Sequence, residues 1–224
     1  MKTAFLILFL VFISSRITHA AVDCQTINQQ DVLGVSHSAT ISNIFDVAFE
    51  ADLSEKILFS GEINKSSVDR LIRRINKYLA QHPNQDLNIT ITLDSGGGNV
   101  NEALRAIREI DRLNRKPMIQ IDTKVGSHNS CESACTLLFT AGEKRYASER
   151  AKFGFHSPKF VRGDRGDRSR ADIEDLYRRL WLKQIRSVDT TAAQMIQDHE
   201  YLLDYDMSYV RARELTTGYV TDLL

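Results

Sequence analysis

The sequence is short of several residue types, and each shortage excludes a class of protein. Its 224 residues include only three prolines and three cysteines, so neither a collagen-like chain nor a disulfide scaffold fits. Basic and acidic residues number 29 each, which leaves no excess positive charge for tight, sequence-independent binding to nucleic acid. Beyond the N-terminus, no apolar run approaches the roughly 18 residues of a membrane span. One globular domain, or at most two small ones, is expected.

The first 20 residues have the pattern of a secretory signal peptide. Lys2 precedes an apolar block at 4–13, and the small residue Ala20 stands at the expected cleavage position. Asp23 stands directly before Cys24, where a lipoprotein needs glycine or alanine, so the sequence predicts a cleaved product in the periplasm or outside the cell, with no membrane span. A retained N-terminal anchor is the alternative. Export would place the cysteines in an oxidising compartment.

Strand and helix patterns alternate after an extended N-terminal segment at 21–56. Short apolar runs predict strands at 57–61, 87–93, 118–123 and 151–155. Apolar residues at helical spacing predict helices capped by Ser66 and Ser67, after the glycine turn at 94–98, over 133–141, and from Leu176 onward. The charged stretch at 161–175 is expected to be a solvated, mobile loop that acts as a lid or assembly handle. This alternation predicts an α/β fold with a largely parallel sheet over residues 57–224.

One serine and one histidine stand where chemistry could be carried out. Ser133 lies where a polar loop turns into an apolar helix, a position typical of a helix cap but also of a nucleophile. His156 follows the predicted strand at 151–155. A serine nucleophile needs a base, an orienting carboxylate and N–H donors for the oxyanion, and the chain contains candidates for all three.

Four segments resemble, in order and spacing, the Clp protease proteolytic subunit and its relative signal peptide peptidase A. These segments are 57–63, 94–100, 133–142 and 155–158. The resemblance implies a ClpP/crotonase-like superhelix of ββα units over residues 57–224. It also implies a cofactor-free serine peptidase that acts on peptides or polypeptides and forms homo-oligomers. The Cys-x-Ser-x-Cys pattern around Ser133 resembles an exported branch of this group.

The resemblance also implies roles for individual residues. Ser133 would be the nucleophile and His156 the general base. Asp198 is the best candidate for the orienting acid, and Asp204 and Glu200 are the alternatives. The implied oxyanion donors are the backbone amides of Gly97 or Gly98 and of Ala134.

Three residues depart from the family pattern. Asn129 replaces a common glycine, Gly96 stands where proline is common, and Glu132 places a carboxylate directly before the nucleophile. A negative charge there would disfavour an oxyanion unless it points to solvent or pairs with a cation. An inactive binding or assembly protein therefore stays open as an alternative, as does a crotonase-type acyl-CoA enzyme.

Two of the three cysteines flank the candidate nucleophile. Cys131 and Cys135 could pair with each other or with Cys24, and a bridge between the first two would fix the turn that carries Ser133. A zinc site formed by the two cysteines with His128 and His156 is a weaker alternative, because the spacing fits no standard finger. We therefore expect a disulfide here and no metal.

Overall fold

A computed structural model describes residues 54–158 and 170–224. The strands are β1 (Ser54–Ser60), β2 (Leu87–Asp94), β3 (Ile119–Val125), β4 (Ser130–Glu132), β5 (Arg145–Ala147), β6 (Lys152–Phe155), β7 (Ser208–Arg211) and β8 (Asp222–Leu223). The helices are α1 (Lys65–Gln81), α2 (Val100–Asn114), α3 (Ala134–Phe139), α4 (Arg170–Val188), α5 (Thr190–Asp198) and a short 3₁₀ helix at Ala212–Leu215. The predicted signal peptide, Cys24, most of the N-terminal segment and residues 161–169 of the charged loop lie outside the described residues. The prediction of a loop was wrong for residues 170–175, which form the start of α4.

The strands form two sheets. The larger sheet has five parallel strands in the order β1-β2-β3-β5-β8. The smaller sheet has the order β4-β6-β7, with β4 parallel and β7 antiparallel to β6. The predicted α/β fold with a largely parallel sheet is confirmed. In the described part of the chain, no helix is both long enough and apolar enough to cross a bilayer.

Helix α1 shows how local sequence fixes an element boundary. Asn64 caps the helix by accepting a hydrogen bond from the Ser67 N–H at 3.0 Å, and the Ser67 hydroxyl accepts one from the Asn64 N–H at 2.9 Å. This reciprocal pair satisfies two N–H groups that a helix start leaves open. Asn64 is the N-cap, so the predicted cap position was wrong by two to three residues, but the expected part of Ser67 in capping is confirmed because its hydroxyl completes the capping box. Val68, Leu71 and Ile75 are buried along the apolar face, as their spacing predicts.

A buried carboxylate separates the last two long helices. Asp189 caps α5 by accepting hydrogen bonds from the N–H groups of Thr191 at 2.8 Å and Ala192 at 3.0 Å. It also accepts bonds from the Thr217 hydroxyl and the Tyr219 N–H, both at 2.7 Å. Burial alone would raise the pKa of Asp189, but these four hydrogen bonds outweigh burial and hold the pKa below its ordinary value of 3.8.

A buried arginine secures the same C-terminal segment from the sheet side. The Arg145 guanidinium donates to the carbonyl oxygens of Gly218 at 2.7 Å, Gly142 at 2.8 Å and Tyr219 at 2.9 Å. The Tyr219 hydroxyl donates to the Thr136 carbonyl at 2.6 Å, deep in the core. We call Arg145, Asp189 and Tyr219 with these partners the C-terminal junction. It ties the end of the chain to α3, the helix that follows the candidate nucleophile.

Candidate active site

Ser133 occupies a sharp turn between β4 and α3. Its backbone has φ 53° and ψ −130°, a conformation that residues with a side chain rarely adopt. Its N–H donates to the Gly154 carbonyl at 2.8 Å, and its own carbonyl accepts from the Thr136 N–H at 2.9 Å. Strand pairing thus fixes one side of the turn and the first helical turn fixes the other. We call residues 131–135 the nucleophile elbow.

The elbow brings Ser133 to His156. The Ser133 Oγ lies 2.8 Å from His156 Nε2, and His156 Nδ1 lies 2.6 Å from the carbonyl oxygen of Ser157. Because a carbonyl oxygen can only accept, Nδ1 carries the proton of the neutral ring and Nε2 is the acceptor. The Ser133 hydroxyl therefore donates to Nε2, which is the arrangement that a general base requires.

The loop after β6 and helix α4 hold the imidazole in place. The Ser157 N–H donates to the Asp204 carbonyl at 2.5 Å, which fixes one side of the residue whose carbonyl accepts from Nδ1. The Trp181 ring meets the His156 ring edge to face, with centroids 6.4 Å apart. Trp181 is fully buried and donates its indole N–H to Thr136 Oγ1 at 3.1 Å. His156 thus packs against Trp181, which is held in place by its hydrogen bond to Thr136 of α3.

The glycine turn after β2 supplies one candidate oxyanion donor. Gly98 forms a parallel bridge with Ile63, in which the Ile63 N–H donates to the Gly97 carbonyl and the Asn99 N–H donates to the Ile63 carbonyl, both at 2.7 Å. In such a bridge the N–H of Gly98 itself points away from Ile63. The Gly97 N–H already donates to Ser95 Oγ at 3.1 Å. Of the two predicted glycines, only Gly98 has an N–H without an acceptor among the described residues.

The second candidate donor lies beside the first. A Cβ atom on Gly97 would lie 2.5 Å from the Ser133 Cβ and 3.0 Å from the Ala134 nitrogen, so the glycine turn and the nucleophile elbow are in direct contact. Ala134 is the first residue of α3, where an N–H has no partner within its own helix. Its N–H has no acceptor among the residues that the structure describes. The Gly98 and Ala134 amides are therefore the open donors nearest Ser133.

A cleft of about 360 Å³ opens over the serine and histidine. Its lining includes Glu62, Asn64, Val100, Pro158, Tyr177 and Trp181. Helical spacing alone did not reveal that Tyr177 and Trp181 line this cleft, because the same spacing serves a buried face. A larger groove of about 720 Å³ runs between α4 and α5, but it contains neither Ser133 nor His156. We take the smaller cleft as the candidate site because the chemistry lies there.

None of the three predicted acids is hydrogen-bonded to His156 through its carboxylate in the described structure. Asp198 is exposed at the end of α5 and accepts a bond from Gln194 Nε2 at 2.7 Å. Glu200 is exposed and lines the larger groove. The Asp204 carboxylate accepts from the Asp206 N–H at 3.0 Å, and only the Asp204 carbonyl contributes to the site, through Ser157. The orienting contact on Nδ1 that the structure does contain comes from a backbone carbonyl.

Glu132 is directed away from the cleft. It lies next to Ser133 on β4, but its carboxylate accepts a hydrogen bond from the Tyr209 hydroxyl at 3.0 Å, on the face of the smaller sheet. This bond raises the pKa of Tyr209. Glu132 is absent from the lining of the cleft. The sequence departure that raised most doubt about catalysis therefore places no carboxylate in the cleft.

Cys131 and Cys135 form a disulfide across the nucleophile elbow, with their Cα atoms 5.1 Å apart. Both sulfur atoms are therefore committed, which removes the weaker zinc alternative. No group of three or more metal-ligating side chains occurs within 54–158 and 170–224. The third cysteine, Cys24, lies outside the described residues.

Comparison with solved structures identifies a similar fold. The chain resembles the ClpP protease catalytic domain from Plasmodium falciparum, with a TM-score of 0.56 and 20% sequence identity over 76% of this chain and 84% of that chain. The predicted ClpP-like fold is therefore confirmed. No protein-family model matches the sequence, and no curated protein matches it. A likeness at this identity establishes the fold, whereas function has to be argued from the site.

Proposed function

We propose that the protein is an exported serine hydrolase, a peptidase that cleaves peptides or unfolded polypeptides. The observation that carries the proposal is the 2.8 Å contact between Ser133 Oγ and His156 Nε2 at a strained strand-to-helix turn. Two open N–H donors adjoin that turn. A serine that only capped a helix would instead bond to the N–H groups of α3, yet Ser133 makes no such side-chain bond.

The proposed reaction proceeds through an acyl-enzyme. Ser133 Oγ attacks the substrate carbonyl carbon while its proton moves to His156 Nε2. The N–H groups of Gly98 and Ala134 stabilise the resulting oxyanion. The imidazolium then returns the proton to the leaving amine, and a water molecule activated by His156 releases the acyl group.

The carbonyl of Ser157 takes the orienting role in this proposal. By accepting the Nδ1 proton, it fixes the tautomer that leaves Nε2 free to act as a base. A neutral carbonyl stabilises an imidazolium less than a carboxylate does, because charge-assisted hydrogen bonds are about twice as strong.

A non-catalytic binding or assembly protein is the second candidate. The observation that favours it is that the carboxylates of the predicted acids Asp198 and Asp204 bond to Gln194 and Asp206 and not to His156. The position of Glu132 and the Ser133–His156 contact weigh against it. A crotonase-type acyl-CoA enzyme has no use for this serine and histidine pair, so thioester turnover that survives Ser133→Ala would favour that alternative.

Labelling with a fluorophosphonate probe tests the proposal. We expect the folded, disulfide-intact protein to be modified on Ser133 alone, as peptide mapping by mass spectrometry would show. The variant Ser133→Ala should not react, whereas Ser130→Ala, three residues away on β4, should react as the native protein does. Absence of labelling in the native protein, or unchanged labelling of Ser133→Ala, would rule the proposal out and leave the binding role.

Export and assembly are separate parts of the proposal. The leader predicts that the mature chain begins at Ala21, which N-terminal sequencing of protein recovered from outside the cytoplasm would establish. A homo-oligomer is expected from the resemblance to Clp protease, and a native mass equal to one chain would contradict it.

A further inference from the structure

The disulfide encloses the candidate nucleophile symmetrically. Cys131 is two positions before Ser133 and Cys135 two positions after it, so the bond closes a ring of five residues with the serine at its centre. Cys131 belongs to β4 and Cys135 to the first turn of α3. Both side chains are fully buried. The bond therefore joins the two elements whose relative placement defines the elbow.

Ser133, at the centre of this ring, has a backbone conformation that its surroundings must maintain. Among the described residues, four other than glycine have positive φ: Asn84, Met118, Ser133 and Glu200. Asn84, Met118 and Glu200 are exposed in connecting segments, whereas Ser133 is buried between a strand and a helix. Such a backbone conformation persists only where the surroundings impose it.

Hydrogen bonds hold each side of the elbow, but separately. The Ser133 N–H is fixed to β6 through Gly154, and the Ser133 carbonyl is fixed to α3 through Thr136, whose hydroxyl also donates to it at 2.8 Å. These bonds do not restrict rotation about the Ser133 backbone, and such a rotation would shift α3 relative to β4. The disulfide joins the residues on either side of Ser133 and so limits this rotation.

The size of the ring indicates what the bond does. A disulfide stabilises a fold mainly by restricting the unfolded chain, and the effect grows with the length of the loop that it closes. A five-residue ring is near the lower limit of that effect. A bond of this kind is better suited to fixing local geometry than to holding distant parts of a protein together.

We propose that the Cys131–Cys135 disulfide is a positioning device for the nucleophile, and this inference rests on the proposed hydrolase function. It keeps Ser133 in the conformation that directs Oγ at His156 Nε2 and the Ala134 N–H at the cleft. Reduction by a dithiol adds two electrons and two protons to give two thiols, while the dithiol is oxidised to its own disulfide. In the dithiol form the elbow relaxes and the attack by Ser133 slows, while the surrounding fold persists.

The double variant Cys131→Ala/Cys135→Ala tests the inference. We expect its maximal rate of inactivation by the fluorophosphonate probe to fall by about tenfold to a hundredfold, the rate equivalent of releasing one strained backbone residue. The probe concentration for half-maximal rate should change little, because the cleft is formed by other residues. The matched control is Ile110→Val, which trims a fully buried side chain on α2 and should leave both constants unchanged.

A second measurement does not depend on catalysis. The nuclear Overhauser effect between the amide and α protons of Ser133, measured by NMR on labelled protein, reports the sign of φ, because these two protons are closer together at φ of about +55° than at any ordinary negative φ. We expect the native value to match positive φ, and the double variant or the dithiol-reduced native protein to lose it while far-UV circular dichroism stays unchanged. If the double variant does not fold, the reduced native protein gives the answer.

The two measurements separate the two ideas. Native protein that resists the probe but loses positive φ on reduction would reject the hydrolase and retain the positioning role of the disulfide. Native protein that reacts equally well with and without the disulfide, or that keeps the same φ, would overturn the inference and leave the hydrolase proposal standing. An equal loss of rate in Ile110→Val would also overturn it, since the effect would then follow from general destabilisation.

Discussion

The nucleophile elbow and the C-terminal junction are both buried and polar, but they use their polar groups differently. At the junction, Asp189 accepts four hydrogen bonds, and the Arg145 guanidinium donates to four backbone carbonyls. At the elbow, the backbone is strained, and the N–H of the buried residue Ala134 has no acceptor among the described residues. Gly98, whose N–H is also open, is exposed. Buried polar groups are ordinarily satisfied, so the open N–H of Ala134 needs an explanation. The junction uses its polar groups to maintain the fold, whereas in the proposed hydrolase the open donor at the elbow would bind a ligand oxygen.

The largest expected effect on activity comes from removing the proposed base next to the elbow. His156→Ala should lower the rate of fluorophosphonate labelling by about 10³-fold, within the range that general-base catalysis supplies. The free energy of unfolding should change by less than about 1 kcal/mol, because the ring is only half-buried. Labelling kinetics and urea denaturation of the same preparation would check both values. A large loss of stability with unchanged labelling would mean that the histidine is structural.

Removing the carboxylate of the junction should have the opposite effect. Asp189→Ala deletes the cap of α5 and leaves the buried Tyr219 N–H and the Thr217 hydroxyl without their partner, so we expect a loss of about 3 kcal/mol in stability. Labelling of the molecules that remain folded should be unchanged. The matched control is Asp198→Ala at the other, exposed end of the same helix, which should cost less than about 0.5 kcal/mol.

The same control examines the predicted third member of the triad. Because Asp198 contacts Gln194 and not His156, Asp198→Ala should keep the native labelling rate. A fall of a hundredfold or more would instead return Asp198 to the role that the family resemblance implies.

Substitutions at two glycines with similar backbone angles can distinguish the effect of a steric clash from the effect of backbone strain. Gly97 and Gly61 both have positive φ, +95° and +84°, but a Cβ on Gly97 would strike the elbow while one on Gly61 would meet nothing within 4 Å. Gly97→Ala should displace Ser133 and lower labelling by about tenfold to a hundredfold, since small misplacements of reacting groups are costly. Gly61→Ala should cost only about 1 kcal/mol of stability and leave labelling unchanged. Equal effects of the two substitutions would show that backbone strain, and not the contact with Ser133, is what matters.

Acid should weaken the junction by a smaller amount. Asp189 has a lowered pKa in the folded protein, so it stays ionised where the unfolded chain already binds a proton. Its contribution to stability is therefore complete above its ordinary pKa of 3.8 and is lost as the pH falls through the lower, folded-state value. Urea denaturation between pH 7 and pH 3 should show that the difference in unfolding free energy between the native protein and Asp189→Asn becomes smaller at the acidic end. A constant gap would mean that the hydrogen bonds, and not the charge, carry the effect.

Long elements were predictable from the sequence, and short ones were not. β2 and α2 gave clear signals because eight and fifteen residues hold several repeats of their hydrophobic pattern. β4 and β5 have three residues each, too few for alternation to be recognised, and they exist because β6 and β3 offer them partners. The break between α4 and α5 was missed because Asp189 in a polar stretch gives no sign of the four distant and local donors that converge on it.

The candidate site also contains residues that the sequence predicts and residues that it does not. Ser133 and His156 are recognisable from their neighbours in the sequence and from the family resemblance. The acceptor for Nδ1 is not, since any residue can offer a carbonyl and only the fold decides which one does. The choice of Gly98 over Gly97 likewise depends on the bridge to Ile63, which lies far away along the chain.

The elbow also depends on the order in which the chain folds. Its strained turn is held by Gly154 on β6, and Ser157, the residue whose carbonyl orients His156, is held by Asp204. A growing chain that stops short of Asp204 therefore contains the serine and the histidine without the contact that fixes Ser157. Contacts so distant in sequence form late. In the proposed hydrolase, full activity would then require the completed domain, so a chain still being synthesised would be less able to cleave its surroundings.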